Sequence, residues 1–169
     1  MKFSVGVEYA IHCLLYMVKL QEDKPVGIRD LATFQGISET YLSKVYAKLS
    51  KSGIVKSVPG VKGGYALARS AEEITFWDII EAVEGKESFF QCAEIRQNNI
   101  LVDKNNLPDE YTKCPCLIKV VMLEAEDEMR KYLRTKTLAW LYDEVYNKKF
   151  SKDVEEATIG WFSNKRDSI

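Results

Sequence analysis

The chain has 169 residues, 46% of them apolar and 29% charged, with a net charge of −1. That is about one ordinary soluble domain with room for an appendage, and no apolar run reaches the ~20 residues a bilayer span needs, so no membrane partner is expected. The overall charge excludes nothing, but its distribution is uneven: Ser38–Arg69 carries Lys44, Lys48, Lys51, Lys56, Lys62 and Arg69 against the single acid Glu39, whereas EAEDE at 124–128 is acidic. The basic stretch is where a polyanion would bind.

The opening MKFSVGVEYAIHCLLYMVKL is interrupted by Glu8 and His12, and no small-residue cleavage site follows it. It therefore reads as a first helix rather than a signal peptide, and a cytoplasmic location is expected. Val7, Ala10, Ile11, Leu14, Leu15 and Val18 recur at helical spacing over 4–20, and Pro25 and Gly27 break the helix. IRDLATFQG predicts a short second helix. ISETYLSKVYAKLSKSG predicts a third, with Ser38 as N-cap, Leu42, Val45 and Leu49 inward and Gly53 at its end. A short helix, a tight turn and a second helix make a helix-turn-helix. IVKSVPGVKGGYALA alternates apolar residues around Pro-Gly and Gly-Gly, which predicts a two-stranded hairpin.

ITFWDIIEAVEG opens with Thr75 three residues before Asp78, a capping-box spacing, and predicts a fourth helix ending at Gly85. Residues 86–113 read as one long loop, a length that is usually functional or disordered. From Leu117, the residues Ile118, Val121, Met122, Ala125, Met129, Tyr132 and Leu133 keep i, i+3, i+4, i+7 spacing. That predicts a long amphipathic helix whose apolar face suits a second copy of the chain. TLAWLYDEVY suggests another short helix, and the tail from Lys148 is amphipathic without an evident role. The expected architecture is mainly α with a small β-hairpin. It divides into a winged helix-turn-helix over 1–85, a cysteine-bearing loop over 86–116, C-terminal dimerisation helices over 117–147, and the tail 148–169.

Tyr41, Lys44 and Lys48 share one face of the third helix, and Ser38, Glu39 and Thr40 open it. A major groove admits one helix, reads base edges with its N-terminal residues and flanks it with phosphates. Lys62, Gly63, Gly64 and Tyr65 put a cation and two backbone-permissive residues at the hairpin tip, as suits a wing on a phosphate strand or minor groove. Isolated lysines such as Lys51 or Lys56 are read as a solvated face. The order of elements with the local charge points to double-stranded DNA.

Three segments, MKFSVGVEYAIHCL, LSKVYAKLSKSGIVKSVPGVKGGYALAR and ITFWDIIEAVEG, resemble the IscR/NsrR family of bacterial winged-helix regulators, with PGVKGGY as the most specific part. The resemblance runs from Met1 to about Tyr146. It implies a homodimer docking two recognition helices and two wings on a palindromic operator. In many members it also implies an iron–sulfur cluster in the loop before the dimerisation helix. Other members lack the cysteines.

The loop holds Cys92, Cys114 and Cys116, whose separations depart from the short, even intervals of the usual family loop. Glu8 and His12 lie four residues apart on helix one, and His12 is the only histidine. VEYAIHC and CAEIRQ resemble the redox-sensing RsrR type, which implies Glu8 and His12 from one subunit and two cysteines from the other around a 2Fe–2S rather than a 4Fe–4S cluster. On that reading Cys114 and Cys116 are preferred and Cys92 is a bystander. Four other readings stay open: a plain i, i+4 pair at Glu8/His12, a Cys₃His zinc site, a reversible disulfide to Cys92, and a cluster-free regulator acting through a protein partner. A Cys114–Cys116 disulfide would be strained. Cys13 reads as a small buried residue. The expected function is a redox- or nitrosative-stress-responsive repressor. With no second histidine, nucleophile elbow or phosphate loop, an enzyme is not expected.

Overall fold

The computed structural model describes residues 2–20, 25–60 and 62–167, and these are mainly helical with one two-stranded hairpin. Two compact units are present, Lys2–Lys86 together with Leu133–Ile169, and Glu87–Tyr132.

In the first unit α1 (Val5–Met17), α2 (Ile28–Gln35) and α3 (Glu39–Lys51) build the core. α1 buries Val7, Ala10, Cys13, Leu14, Leu15 and Met17, while Ile11 and Val18 lie half-buried beside that stripe. α3 buries Leu42, Val45, Tyr46 and Leu49. Each leucine-sized side chain taken from water contributes about 1.5–3 kcal/mol. Tyr46 donates its hydroxyl to Met17 Sδ at 3.4 Å, so the one polar atom this ring buries is satisfied inside the core.

The hairpin follows as β1 (Val55–Val58) and β2 (Gly64–Leu67), antiparallel, with Val55 opposite Leu67 and Val58 opposite Gly64. Val26 bridges to Tyr65 and extends that pairing. α4 (Phe76–Glu84) begins at the capping box expected from its sequence: Asp78 N–H donates to Thr75 Oγ1 at 3.1 Å, and Thr75 N–H to Asp78 Oδ2 at 3.0 Å.

α7 (Leu138–Tyr142) continues as a π-turn over Asp143–Asn147, and α8 (Lys152–Asp167) follows. The tail without an evident role is therefore largely helical and part of the packing. Phe162 is buried among Phe34, Trp161 and Tyr16, with ring centroids 4.9, 4.9 and 5.9 Å away. Tyr142 also donates its hydroxyl to Glu155 of α8.

In the second unit the stretch 86–113 is not one featureless loop. A 3-10 turn spans Ile95–Asn98 and α5 spans Asp109–Thr112. Local side-chain bonds hold these turns: Asn99 Nδ2 donates to Arg96 O at 2.9 Å, Leu101 N–H to Asn99 Oδ1 at 3.0 Å, and Lys113 pairs with Asp109 at 2.7 Å. Such bonds leave no apolar periodicity to read.

α6 (Leu117–Arg134) is the predicted long helix, but its apolar stripe faces outward. Leu117, Ile118, Val121, Met122 and Tyr132 are all exposed, whereas the helix's one buried residue is Glu126. Glu126 accepts hydrogen bonds from Ser88 Oγ at 2.6 Å and Phe89 N–H at 3.1 Å, and pairs with Arg130.

Candidate nucleic-acid interface and cysteine site

Ser38 caps α3 by accepting Tyr41 N–H on its hydroxyl at 3.3 Å, which orients the first turn. Glu39, Thr40 and Lys44 stand exposed on that helix. Tyr41, also exposed, leans edge-on against the Tyr9 ring at 5.7 Å, so α1 steadies it.

Lys48 is placed differently. Its ammonium donates to Val83 O at 2.7 Å, in the last turn of α4. A cation at a helix C-terminus satisfies an orphan carbonyl and opposes the macrodipole, so this lysine ties α3 to α4. Arg69, also from the basic stretch, pairs with Asp78 of the capping box at 3.6 Å.

At the wing, Lys62 is exposed. Gly63 and Gly64 permit a close approach, but to the chain's own backbone. A Cβ on Gly63 would stand 2.7 Å from Gly60 O, and one on Gly64 would overlap the Val26 carbonyl and lie 2.9 Å from Gly27 N. Tyr65 N–H donates to Val26 O at 2.9 Å, Val26 N–H returns a bond to Tyr65 O at 2.8 Å, and the Tyr65 ring packs on Tyr46 at 5.1 Å. Gly63, Gly64 and Tyr65 thus build the wing, while Lys62 occupies its tip.

Glu8 and His12 are both exposed on α1, lining an open recess with Phe3, Val5 and Ile11. Cys13 is fully buried, and desolvation pushes its thiol up to about 12, as suits an inert core cysteine.

The other cysteines lie in the second unit. The Cys92 thiol reaches Cys116, and it stands 3.7 Å from Glu94 Oε1. Cys116 precedes α6, where Lys119 N–H donates to its sulfur. That bond, with Ile118 N–H, Cys92 and the Arg96 charge, outweighs desolvation and holds the thiol below its ordinary value. Cys114 is exposed, and its carbonyl accepts Arg96 Nη2 at 2.7 Å. The structure brings Cys92 and Cys116 together. The pairing preferred on sequence was Cys114 with Cys116, with Cys92 as bystander.

Arg96 carried no sequence signal beyond its place in CAEIRQ. Its guanidinium meets Glu94 Oε2 at 3.0 Å and donates to the carbonyls of Tyr111 at 3.1 Å and Glu110 at 3.4 Å as well as Cys114. Among the described residues, no three His, Cys, Asp or Glu side chains are grouped to hold a metal ion. Nor is any helix there long and apolar enough to cross a membrane.

A capped recognition helix, a hairpin wing and an exposed basic face define a winged-helix DNA-binding regulator. The chain belongs to the Rrf2 family, whose model, described as an iron-dependent transcriptional regulator, matches residues 3–144. The transcriptional regulator IscR of Pectobacterium carotovorum is 30% identical over 156 residues, covering 92% of this chain and 85% of that protein. The T. potens IscR structure superposes with a TM-score of 0.64 at 25% identity, covering 89% of this chain and 93% of that one. The oxidized form of CymR from Staphylococcus aureus gives 0.61 at 25% identity, covering 86% and 99%. The protein is accordingly a transcription regulator that binds DNA.

Proposed function

We propose that the protein is a homodimeric repressor whose operator affinity is set at the cysteine site, which holds an iron–sulfur cluster, 2Fe–2S rather than 4Fe–4S, in response to redox or nitrosative stress. The observation that carries this reading is the pairing of Cys92 with Cys116, whose thiol is held below its ordinary value, chiefly by Lys119 N–H. Glu8 and His12 of the partner subunit complete the donor set; both are exposed one turn apart on α1 and spent on no buried contact. Two thiolates with a carboxylate and a neutral imidazole suit the donor chemistry, and when bound such a group supplies one-electron chemistry at raised potential.

The chain's own residues perform the rest. Lys119 and Ile118 N–H stabilise negative charge on Cys116, and Cys114 is left exposed beside the pair. The outward stripe of α6, from Leu117 and Ile118 through Val121 and Met122, supports pairing with a second copy. Such a dimer presents Glu39, Thr40, Lys44 and Lys62 twice to a palindromic site, and a change at the cysteine site alters affinity through the spacing between half-sites.

One other reading has its own support: a cluster-free thiol switch in which Cys92 and Cys116 oxidise to a disulfide. Their adjacency favours it, as does the likeness to a CymR solved in an oxidized form. Isolation without oxygen, iron and sulfide analysis, and operator affinity in oxidised, reduced and metal-free states separate the two. Bound iron with state-dependent affinity supports the cluster. Iron-free protein whose affinity follows Cys92–Cys116 oxidation supports the switch, and equal affinity in every state rejects both.

A further inference from the structure

The cysteine segment consists of two stretches far apart in sequence, Cys92–Asn98 and Glu110–Cys116, and Arg96 joins them. From the first stretch its guanidinium takes Glu94 Oε2 at 3.0 Å; from the second it takes the carbonyls of Glu110, Tyr111 and Cys114 at 3.4, 3.1 and 2.7 Å. Its plane also lies over the Tyr111 ring, 5.9 Å from the centroid. Gln97 adds a bond from Nε2 to Tyr111 O at 3.1 Å. A planar fork with five donors can reach several acceptors at fixed angles, and a lysine ammonium cannot.

Glu94 shows what this fork holds in place. It is the one non-glycine residue with positive φ among the described residues, at 48°. A left-handed glutamate persists only where its surroundings over-determine it. The Arg96 pair engages one oxygen of this carboxylate, and the Cys92 thiol stands 3.7 Å from the other.

We propose that Arg96 is a positioning residue that selects Cys92, rather than Cys114, as the thiol partner of Cys116. The proposal rests on the reading of Cys92 and Cys116 as the sensing pair, but its mechanism is purely geometric. By anchoring the Cys114 carbonyl, Arg96 fixes that residue's backbone while its side chain stays exposed, so the neighbouring Cys116 is the one presented to Cys92.

The test uses metal-free, reduced full-length protein treated with the azo oxidant diamide, followed by peptide mapping of the disulfides. Two thiols give up two protons and two electrons to the N=N bond, leaving a hydrazine and one S–S bond. In the folded protein Cys13, being buried, stays out of the exchange, and in urea only the two Cys92 products are compared. In the urea-unfolded chain Cys92 pairs about equally with Cys114 and Cys116, because the two loops differ by only two residues and closure entropy scarcely separates them. In the folded wild type, Cys92–Cys116 exceeds Cys92–Cys114 by about tenfold, the effect of holding two groups in register. Both R96Q and R96K bring the ratio to within about twofold of the unfolded value. E94Q, which takes the charge from one acceptor of the fork, gives an intermediate ratio and serves as the readout should the Arg96 variants not fold.

A wild-type ratio in R96Q or E94Q overturns the proposal, as does its rescue by R96K, which would assign the effect to charge alone. Iron content and operator affinity of the same variants report on the proposed function. The pairing ratio depends on neither, so the two ideas can fail separately.

Discussion

Ser88 donates its hydroxyl to the Glu126 carboxylate at 2.6 Å, and this bond explains why a glutamate is buried on a helix where Leu117, Ile118, Val121 and Leu123 are exposed. With Phe89 N–H it pins the start of the cysteine-bearing stretch to α6, while Arg130 pairs with the same carboxylate along the helix. Burial opposes the Glu126 charge, but Ser88, Phe89 and Arg130 outweigh it and hold the carboxyl below its ordinary value.

Glu126→Gln should therefore destabilise the protein by about 1.5–3 kcal/mol at pH 7, the range for hydrogen bonds to a charged group. Because the folded pKa is the lower one, this contribution is complete above the ordinary glutamate value and is lost as pH falls through the folded value. Urea unfolding of wild type and variant at pH 7 and pH 3 checks both statements: the gap is expected at the first and should shrink at the second.

Two lysines one turn apart should behave differently. Lys44→Ala should weaken operator binding and lower the salt slope by about one if this exposed lysine meets a phosphate, as proposed. Lys48→Ala, which releases the Val83 carbonyl, should cost about 1 kcal/mol of stability instead. Affinity titrated against salt, alongside thermal melts, separates the roles. A Lys48 variant of unchanged stability that binds DNA poorly would reverse the assignment.

At the wing, Gly64→Ala should cost about 2 kcal/mol or more, since the added methyl collides with the Val26 carbonyl and must open the Val26–Tyr65 bridge. Gly60→Ala meets no neighbouring atom within 4 Å and should cost less despite its φ of 113°. Chemical denaturation of the pair gives the ranking.

The C-terminal helix makes its own prediction. Phe162→Ala empties an aromatic site against Tyr16, Phe34 and Trp161, and should destabilise the fold by about 3 kcal/mol, at the lower end for a core phenylalanine. If α8 were a dispensable tail, the melting temperature would not move.

The amino-acid sequence by itself determined the helices and hairpin of the winged part. Apolar spacing in α1 and α3, the Thr75/Asp78 box and the glycines of the wing are local signals, and each appears in the structure where the residues place it. It also singled out the residues from which a site can be built. Only the tertiary structure decided how those residues are used. Lys48 and Lys44 look alike in sequence until α4 brings the Val83 carbonyl beneath one of them. The wing glycines announce a close approach but not that the approaching atom belongs to Val26. Phe162 became core because Phe34 and Tyr16, over a hundred residues earlier, leave a place for it. Cys92 and Cys116 are distant in the chain, and an arginine from the first stretch gathers the carbonyls of Glu110, Tyr111 and Cys114 in the second. Periodicity and capping act within a turn or two of chain and can be read from neighbours. Hydrogen bonds and ring contacts between distant segments depend on where the whole backbone goes, and no local pattern records them.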